Sequence, residues 1–296
     1  MIKPAIWAAG IIGSASGLLH IVQDRAIYAN DFPDGDARFL FLNVEGYRNP
    51  LERGINYENV YLWTEDGVKL HAWMMKQEIK GRPTMLFFHG NAGNMGMRMD
   101  NIEAFYRMGV NVFIISYRGY GESQGFPTEE GLMIDAKTVV EYVFNCPSID
   151  SGKIFVFGRS LGGAVGIYAV SEFQKKFKFC GLVLENTFMS IKDVVKKLAP
   201  GLWPVSFFMR DQWPSIERIS KIQAPILFIS GNEDKLVLPE HMKGLREQAK
   251  LAKFIEVKEV EGAGHNNTFQ FAGPEYLEWL EEFMCKSLGD NSVFSK

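Results

Sequence analysis

Cysteine is scarce in this chain, with Cys146, Cys180 and Cys285 the only three among 296 residues. An odd and sparse set builds no disulfide framework. Cys180 just precedes an apolar strand-like run and Cys285 lies in the last amphipathic stretch, so both read as small buried hydrophobes. The five histidines show no zinc-type spacing, so no metal site is expected. Charge of one sign is not in excess either. A net charge of −3 gives no broad electrostatic footprint for nucleic acid. There are no internal repeats and no low-complexity tract. What remains is 47% hydrophobic and 23% charged, the composition of a soluble globular fold with a large core. The length suits a single α/β domain.

Long uncharged apolar runs are missing too, with one exception. Ala5 to Val22, 18 residues preceded by Lys3, carries no charge, a length at the border for a membrane span. Gly10, Gly13, Ser14, Ser16, Gly17 and His20 keep its hydrophobicity low. An uncleaved single-pass amino-terminal anchor is the leading expectation. A cleaved signal peptide and an interfacial or buried helix are the alternatives. With an anchor, the full chain fractionates with membranes, and a shortened chain starting near Arg38 is soluble and active. Residues 24–56 read as a connector laid over the domain edge, and the catalytic domain as 57–288, followed by a short tail.

From Asn59 the pattern alternates. Asn59 to Trp63 and Val68 to Trp73 flank Thr64-Glu65-Asp66-Gly67, and Asp-Gly between strand-like runs signals a hairpin. Strands are expected at Thr84 to Phe88, Asn111 to Tyr117, Ile154 to Phe157, Gly181 to Glu185, Pro225 to Ser230 and Phe254 to Val260. Helices are expected at Met95 to Met108, Thr128 to Phe144, Leu161 to Phe173, His241 to Ala249 and Pro274 to Leu288. The fold class is therefore α/β, a mostly parallel central sheet with helices on both faces and an amino-terminal antiparallel hairpin at one edge. Residues 187–222 break the alternation with Pro200, Pro204 and Pro214 among Trp203, Phe207, Phe208, Met209 and Trp213. This segment reads as a short lid presenting aromatics to an apolar substrate, or else as a packing loop whose aromatics are core.

The stretch that gives the chain a chemistry is Gly158-Arg159-Ser160-Leu161-Gly162-Gly163. A strand-like run precedes it and a buried helical run follows. Strand, G-x-S-x-G, helix is the arrangement that thrusts a serine hydroxyl into open space on a sharp turn. Gly158 and Gly162 leave room for that turn, and the helix amino end directs N–H groups toward an incoming oxyanion. A serine needs a base, and the base an orienting acid, in the chain order serine, acid, histidine. His265 lies in the glycine-rich turn Glu261-Gly262-Ala263-Gly264-His265 after the last strand and is the candidate base. His241 reads as a surface helix residue. Asp234, in the loop Gly231-Asn232-Glu233-Asp234, is the candidate acid, with Glu185 its main competitor and a helix-capping turn its structural alternative. Leu161 and Asn91 are the candidate oxyanion donors, with Ala92 an alternative to Asn91. His89 reads as shaping its loop.

Taken together, His89 to Met95 (HGNAGNM), Ser116 to Ser123 (SYRGYGES), GRSLGG, Glu185 to Phe188 (ENTF), Gly231 to Asp234 (GNED) and Gly264-His265-Asn266 resemble the α/β-hydrolase superfamily. The resemblance covers about Tyr57 to Phe283. It is strongest to the membrane-anchored branch typified by α/β-hydrolase domain-containing protein 13 and the fungal bud-emergence hydrolases. It implies the α/β-hydrolase fold, the triad Ser160, Asp234 and His265, no cofactor, and cleavage of a small acyl ester or acyl-protein thioester at a membrane. An amidase or peptidase with the same triad and a non-catalytic membrane scaffold are the rival readings. A sister branch of protein depalmitoylases carries an amino-terminal cysteine cluster; this chain has no cysteine before Cys146.

Overall fold

A computed structural model describes Gln23, residues 27–32 and residues 39–294. The apolar stretch 5–22, and with it the anchor expectation, lies outside the described residues. Among those described, no helix is long and apolar enough to cross a membrane.

Among the described residues, eight strands make one sheet: β1 Glu58–Trp63, β2 Lys69–Met75, β3 Thr84–Phe88, β4 Asn111–Ser116, β5 Ile154–Arg159, β6 Gly181–Glu185, β7 Ile226–Gly231 and β8 Ile255–Val260. Their spatial order is β1-β2-β4-β3-β5-β6-β7-β8. β1 and β2 form the expected antiparallel hairpin at one edge, with Gly67 at φ +80° closing its turn. β2 runs antiparallel to β4, and from β4 to β8 every pairing is parallel. The α-helices described after β1 are α1 Met99–Arg107, α2 Glu129–Asn145, α3 Leu161–Phe173, α4 Ile191–Leu198, α5 Trp203–Ser206, α6 Ser215–Ile219, α7 Pro239–Gln248, α8 Thr268–Ala272 and α9 Glu275–Leu288. The start of α2 is fixed locally. The Thr128 hydroxyl accepts from the Gly131 amide at 3.0 Å, and Glu129 and Glu130 complement the positive end of the helix.

Alternation along each central strand divides the core between two faces. On β3, Leu86 and Phe88 face a cluster closed by Leu132, Ala136 and Val140 of α2, by Val165 and Ile167 of α3, and by Met242 and Leu245 of α7. Met85 and Phe87 face the other side, closed by Ile102 and Phe105 of α1 and by Tyr276, Leu280 and Phe283 of α9. Both faces are covered, which is why the central strands read as continuous apolar runs.

The hairpin is clamped to this body by one buried cation. Arg118 donates from its amide and from Nε to the two carboxylate oxygens of the buried Asp135, both at 2.8 Å. Its guanidinium also grips Asp66 of the hairpin turn at 2.7 and 3.1 Å. The hydrogen bonds from Arg118 hold the Asp66 carboxyl down at about 2, whereas burial pushes the Asp135 carboxyl up to about 6 against the pull of Arg118. Removing the cation leaves a buried carboxylate without its partner, so Arg118→Met is expected to cost about 3–5 kcal/mol of unfolding free energy. Urea titration checks this, and a loss under about 1 kcal/mol would show that the clamp contributes only what an exposed ion pair does.

One segment differs from the sequence expectation, and another divides between its two readings. Among the described residues before position 57, the chain does more than skirt the domain edge. Ile27 and Tyr28 are buried in the α2–α3 core cluster, and Leu40 and Ile55 in the other. The Tyr28 hydroxyl donates to Asp211 at 2.7 Å and accepts from Trp213 Nε1 at 3.1 Å. The carbonyl of Ala29 takes the Gly93 amide at 3.1 Å, and Asn30 donates to the Gly119 carbonyl at 2.5 Å. The catalytic body therefore includes residues well before position 57. The segment 187–222 folds into α4, α5 and α6 with a 3-10 turn at Pro200–Leu202. Its aromatics do not act alike. Trp213 is fully buried in the core, whereas Phe207 and Phe208 are exposed. Glu129 at the start of α2 ties the segment down, accepting from the Gln212 and Trp213 amides at 2.7 and 2.8 Å and from Arg218 at 2.9 Å.

Candidate active site

Ser160 stands between β5 and α3 with φ 55° and ψ −121°. A non-glycine residue there costs on the order of 1–3 kcal/mol and persists only where the surroundings fix it. They do so from both sides. The Ser160 amide donates to the Glu185 carbonyl at 3.0 Å, and the Thr187 hydroxyl donates to the Ser160 carbonyl at 2.7 Å. The glycines of the motif are required by close approach. A Cβ on Gly162 would lie 2.0 Å from the Phe88 carbonyl oxygen, and one on Gly158 would lie 2.3 Å from the Gly162 oxygen. The amino end of α3 is thus drawn against the carboxyl end of β3, beside the loop that carries Asn91.

The structure brings Ser160, His265 and Asp234 together from three separate loops. His265 Nε2 is 3.0 Å from Ser160 Oγ, and His265 Nδ1 is 2.7 Å from Asp234 Oδ2. The other oxygen of Asp234 is occupied by the amides of Leu236 and Val237 at 2.8 and 2.9 Å. Those amides fix the carboxylate and leave Oδ2 to receive the imidazole N–H. With Nδ1 as the donor, the lone pair of Nε2 faces the serine hydroxyl, the tautomer a general base needs.

Glu185, the competing acid, points elsewhere. It is fully buried and accepts from the hydroxyls of Thr268 and Tyr276. Thr268 opens α8 three residues after His265, so Glu185 braces the loop that carries the histidine. His241 is also not where the sequence suggested. It is buried, and its Nδ1 accepts from the Met189 amide at 3.4 Å.

Leu161 is the first residue of α3, and the first-turn amides of a helix have no intrahelical carbonyl to serve. Across from it, the Asn91 loop is held by its carbonyl, which accepts from the Tyr120 hydroxyl at 2.9 Å. His89 lies beneath that loop. It is packed on Tyr117 with ring centroids 4.4 Å apart, and its own carbonyl accepts from the Tyr117 hydroxyl at 2.9 Å. Burial, then the positive charge of Arg98, pull the His89 imidazole down to about 3, so it is neutral and shapes the loop.

One residue of this assembly escaped the sequence reading. Asn186 adopts φ 45° and ties three strand ends together. Its Oδ1 accepts from the Gly231 amide at 2.9 Å, and its Nδ2 donates to the His265 carbonyl at 3.0 Å. An asparagine directly after a strand tolerates the left-handed region and offers both a donor and an acceptor, a hint that stands beside its place in the ENTF run. Asn186→Gly keeps the backbone geometry but releases the His265 loop. A rate of reaction at Ser160 lower by about 10–100-fold is expected, since small misplacements of a reacting group cost that much. Steady-state kinetics on the folded variant checks it; an unchanged rate would leave Asn186 as packing alone.

Comparison with known proteins gives the same frame. The family model described as serine aminopeptidase, S33, matches residues 80–216. The chain is 39% identical over 281 residues to protein bem46 of Schizosaccharomyces pombe, covering 92% of this chain and 89% of that one. It is 37% identical over 251 residues to the uncharacterized membrane protein YNL320W of Saccharomyces cerevisiae, covering 82% and 86%. Among solved structures, the Pyrococcus furiosus esterase Pf2001 superposes with a TM-score of 0.68 at 25% identity, over 81% of this chain and 94% of that one. The chain belongs to the α/β-hydrolase superfamily, in the branch that includes bem46.

Proposed function

We propose that this hydrolase is a serine esterase or thioesterase acting through an acyl-enzyme on Ser160. The observation that carries the reading is the continuous relay from Asp234 through His265 to Ser160, at 2.7 and 3.0 Å, on a serine at positive φ. In this reading His265 Nε2 takes the hydroxyl proton as Ser160 Oγ attacks the acyl carbon. The carbonyl π electrons move onto oxygen, toward the amides of Leu161 and Asn91. Collapse of the tetrahedral intermediate expels an alcohol or thiol, which receives the proton from His265. A water molecule then repeats the attack on the acyl-serine, with His265 again as base, and releases the acid. The esterase named among the solved structures supports an ester as the cleaved bond. The description of the matching family model favours a second reading, an amidase or peptidase with the same relay.

A membrane setting belongs to the proposal. The relative named as a membrane protein and the uncharged run 5–22 both support it. Two measurements test the whole. Labelling by a fluorophosphonate probe separates a serine hydrolase from a scaffold on a hydrolase fold. Turnover of matched acyl p-nitrophenyl esters, acyl-protein thioesters and aminoacyl amides decides among the bonds. A chain that takes no label and cleaves none of the three overturns the proposal.

A further inference from the structure

The segment between β6 and α6 carries an exposed surface that neither the core nor the relay uses. Trp203 and Phe207 meet edge to face with ring centroids 5.1 Å apart. Lys192 lies over the Phe207 ring at 4.9 Å, and Lys196 over the Trp203 ring at 5.3 Å. One helical turn separates these two lysines, so α4 presents both on one face. Around this cluster Phe208 is 77% exposed, Phe207 54% and Leu198 44%. Lys197 is exposed beside them. Contiguous exposed aromatics are uncommon on a protein that meets only water.

Charge sharpens the picture. The whole chain carries −3, yet residues 191–211 hold Lys192, Lys196, Lys197 and Arg210 against Asp193 and Asp211, a local +2, with Arg210 itself paired to Asp211 at 2.7 Å so that the three lysines carry the excess. Aromatic rings set among lysines match the headgroup boundary of an anionic bilayer, where rings enter the interface and the cations pair with lipid phosphates and carboxylates. The course of the chain agrees. The Gln23 side chain accepts from the Arg210 amide at 2.8 Å, so the sequence that follows the uncharged run 5–22 joins the body two residues from Phe208.

We infer that the face formed by α4, Trp203, Phe207 and Phe208 seats on an anionic phospholipid surface. This rests on the hydrolase reading only for its consequence, that acyl substrates reach the site from the bilayer. The surface itself is tested without any substrate. Full-length protein is mixed with vesicles of phosphatidylcholine, or of phosphatidylcholine with phosphatidylserine, and amide hydrogen exchange is followed. Residues 191–209 are expected to exchange about tenfold or more slowly with the anionic vesicles, and the protection to fall in high salt. The combined K192E/K196E/K197E variant and, separately, Phe208→Ala should lose it. The charge-reversed variant should also hydrolyse an ester dissolved in anionic vesicles about tenfold more slowly, with a water-soluble p-nitrophenyl ester turned over as by the unaltered protein. Equal protection in both vesicle types, protection already present in water because residues 5–22 cover the face, or no protection at all would each overturn the inference. If the unaltered protein cleaves neither ester, the hydrolase reading fails, and the exchange data still decide the surface.

Discussion

Ser160→Ala is expected to lower ester turnover by on the order of 10⁶-fold and to abolish fluorophosphonate labelling, with the protein still folded. In the proposed mechanism the hydroxyl forms the covalent bond, and nothing else within the relay replaces it. His265→Ala should cost about as much, because residues that act as one unit are not additive, and the double variant should be scarcely worse than either single one. Asp234→Asn should cost about 10⁴-fold, since an amide at that position no longer selects the tautomer with Nε2 unprotonated. Glu185→Gln is the informative control. Its carboxylate serves the hydroxyls of Thr268 and Tyr276 rather than the imidazole, so the change should reduce stability more visibly than activity. Circular dichroism, thermal melts and burst kinetics on all four variants check the set. A Glu185→Gln variant that stays as stable as the parent yet falls further in rate than Asp234→Asn would reassign the acid.

The legible parts of this molecule were those that local chemistry writes. The elbow could be read because its glycines, serine and flanking apolar runs are contiguous, and the backbone contacts that demand Gly158 and Gly162 are made within a few residues or to the adjacent strand. The hairpin declared itself through Asp66-Gly67, and the start of α2 through Thr128 with two glutamates behind it. His265 and Asp234 were readable because chain order and loop position after parallel strands limit the candidates. What could not be read depends on distant partners. His241 looked like a surface helix residue, since its helix is polar around it and the Met189 amide that engages it is 52 residues away. The sequence leaves Trp213 open between a ring offered to substrate and a core ring, because the partners that decide it are Tyr28, 185 residues earlier, and the Glu129 side chain. Asn186 carries its role in a backbone angle and in two loops that come together only when β6, β7 and β8 pair in register.

The same long-range contacts reverse the expectation for a shortened chain. A protein beginning at Arg38 is expected to be insoluble, or inactive if recovered, whereas one beginning at Ile21 should be soluble and retain activity on a water-soluble ester. The difference is the stretch around Tyr28. Deleting it removes two buried apolar side chains from the α2–α3 core, and losing one buried aromatic ring alone costs about 3–5 kcal/mol. It also strips the Tyr28 hydroxyl from Asp211, which is 1% exposed and would be left with fewer donors in the interior. A domain of ordinary stability, about 5–15 kcal/mol, does not absorb both losses comfortably. The effect on chemistry has a separate route. Ala29 holds the Gly93 amide and Asn30 the Gly119 carbonyl, so the segment spans the Asn91 loop and the loop that carries Tyr120. Without it, the proposed second oxyanion donor loses its lateral support even in molecules that stay folded. Tyr28→Phe separates the two effects. It keeps the ring in the core and removes only the hydroxyl, so it should lower the melting temperature modestly and leave turnover nearly intact. Expression of the two shortened chains side by side, with yield of soluble protein and ester turnover as readouts, decides the matter. A chain from Arg38 that is soluble and as active as the one from Ile21 would show that residues 27–32 lie on the fold without holding it.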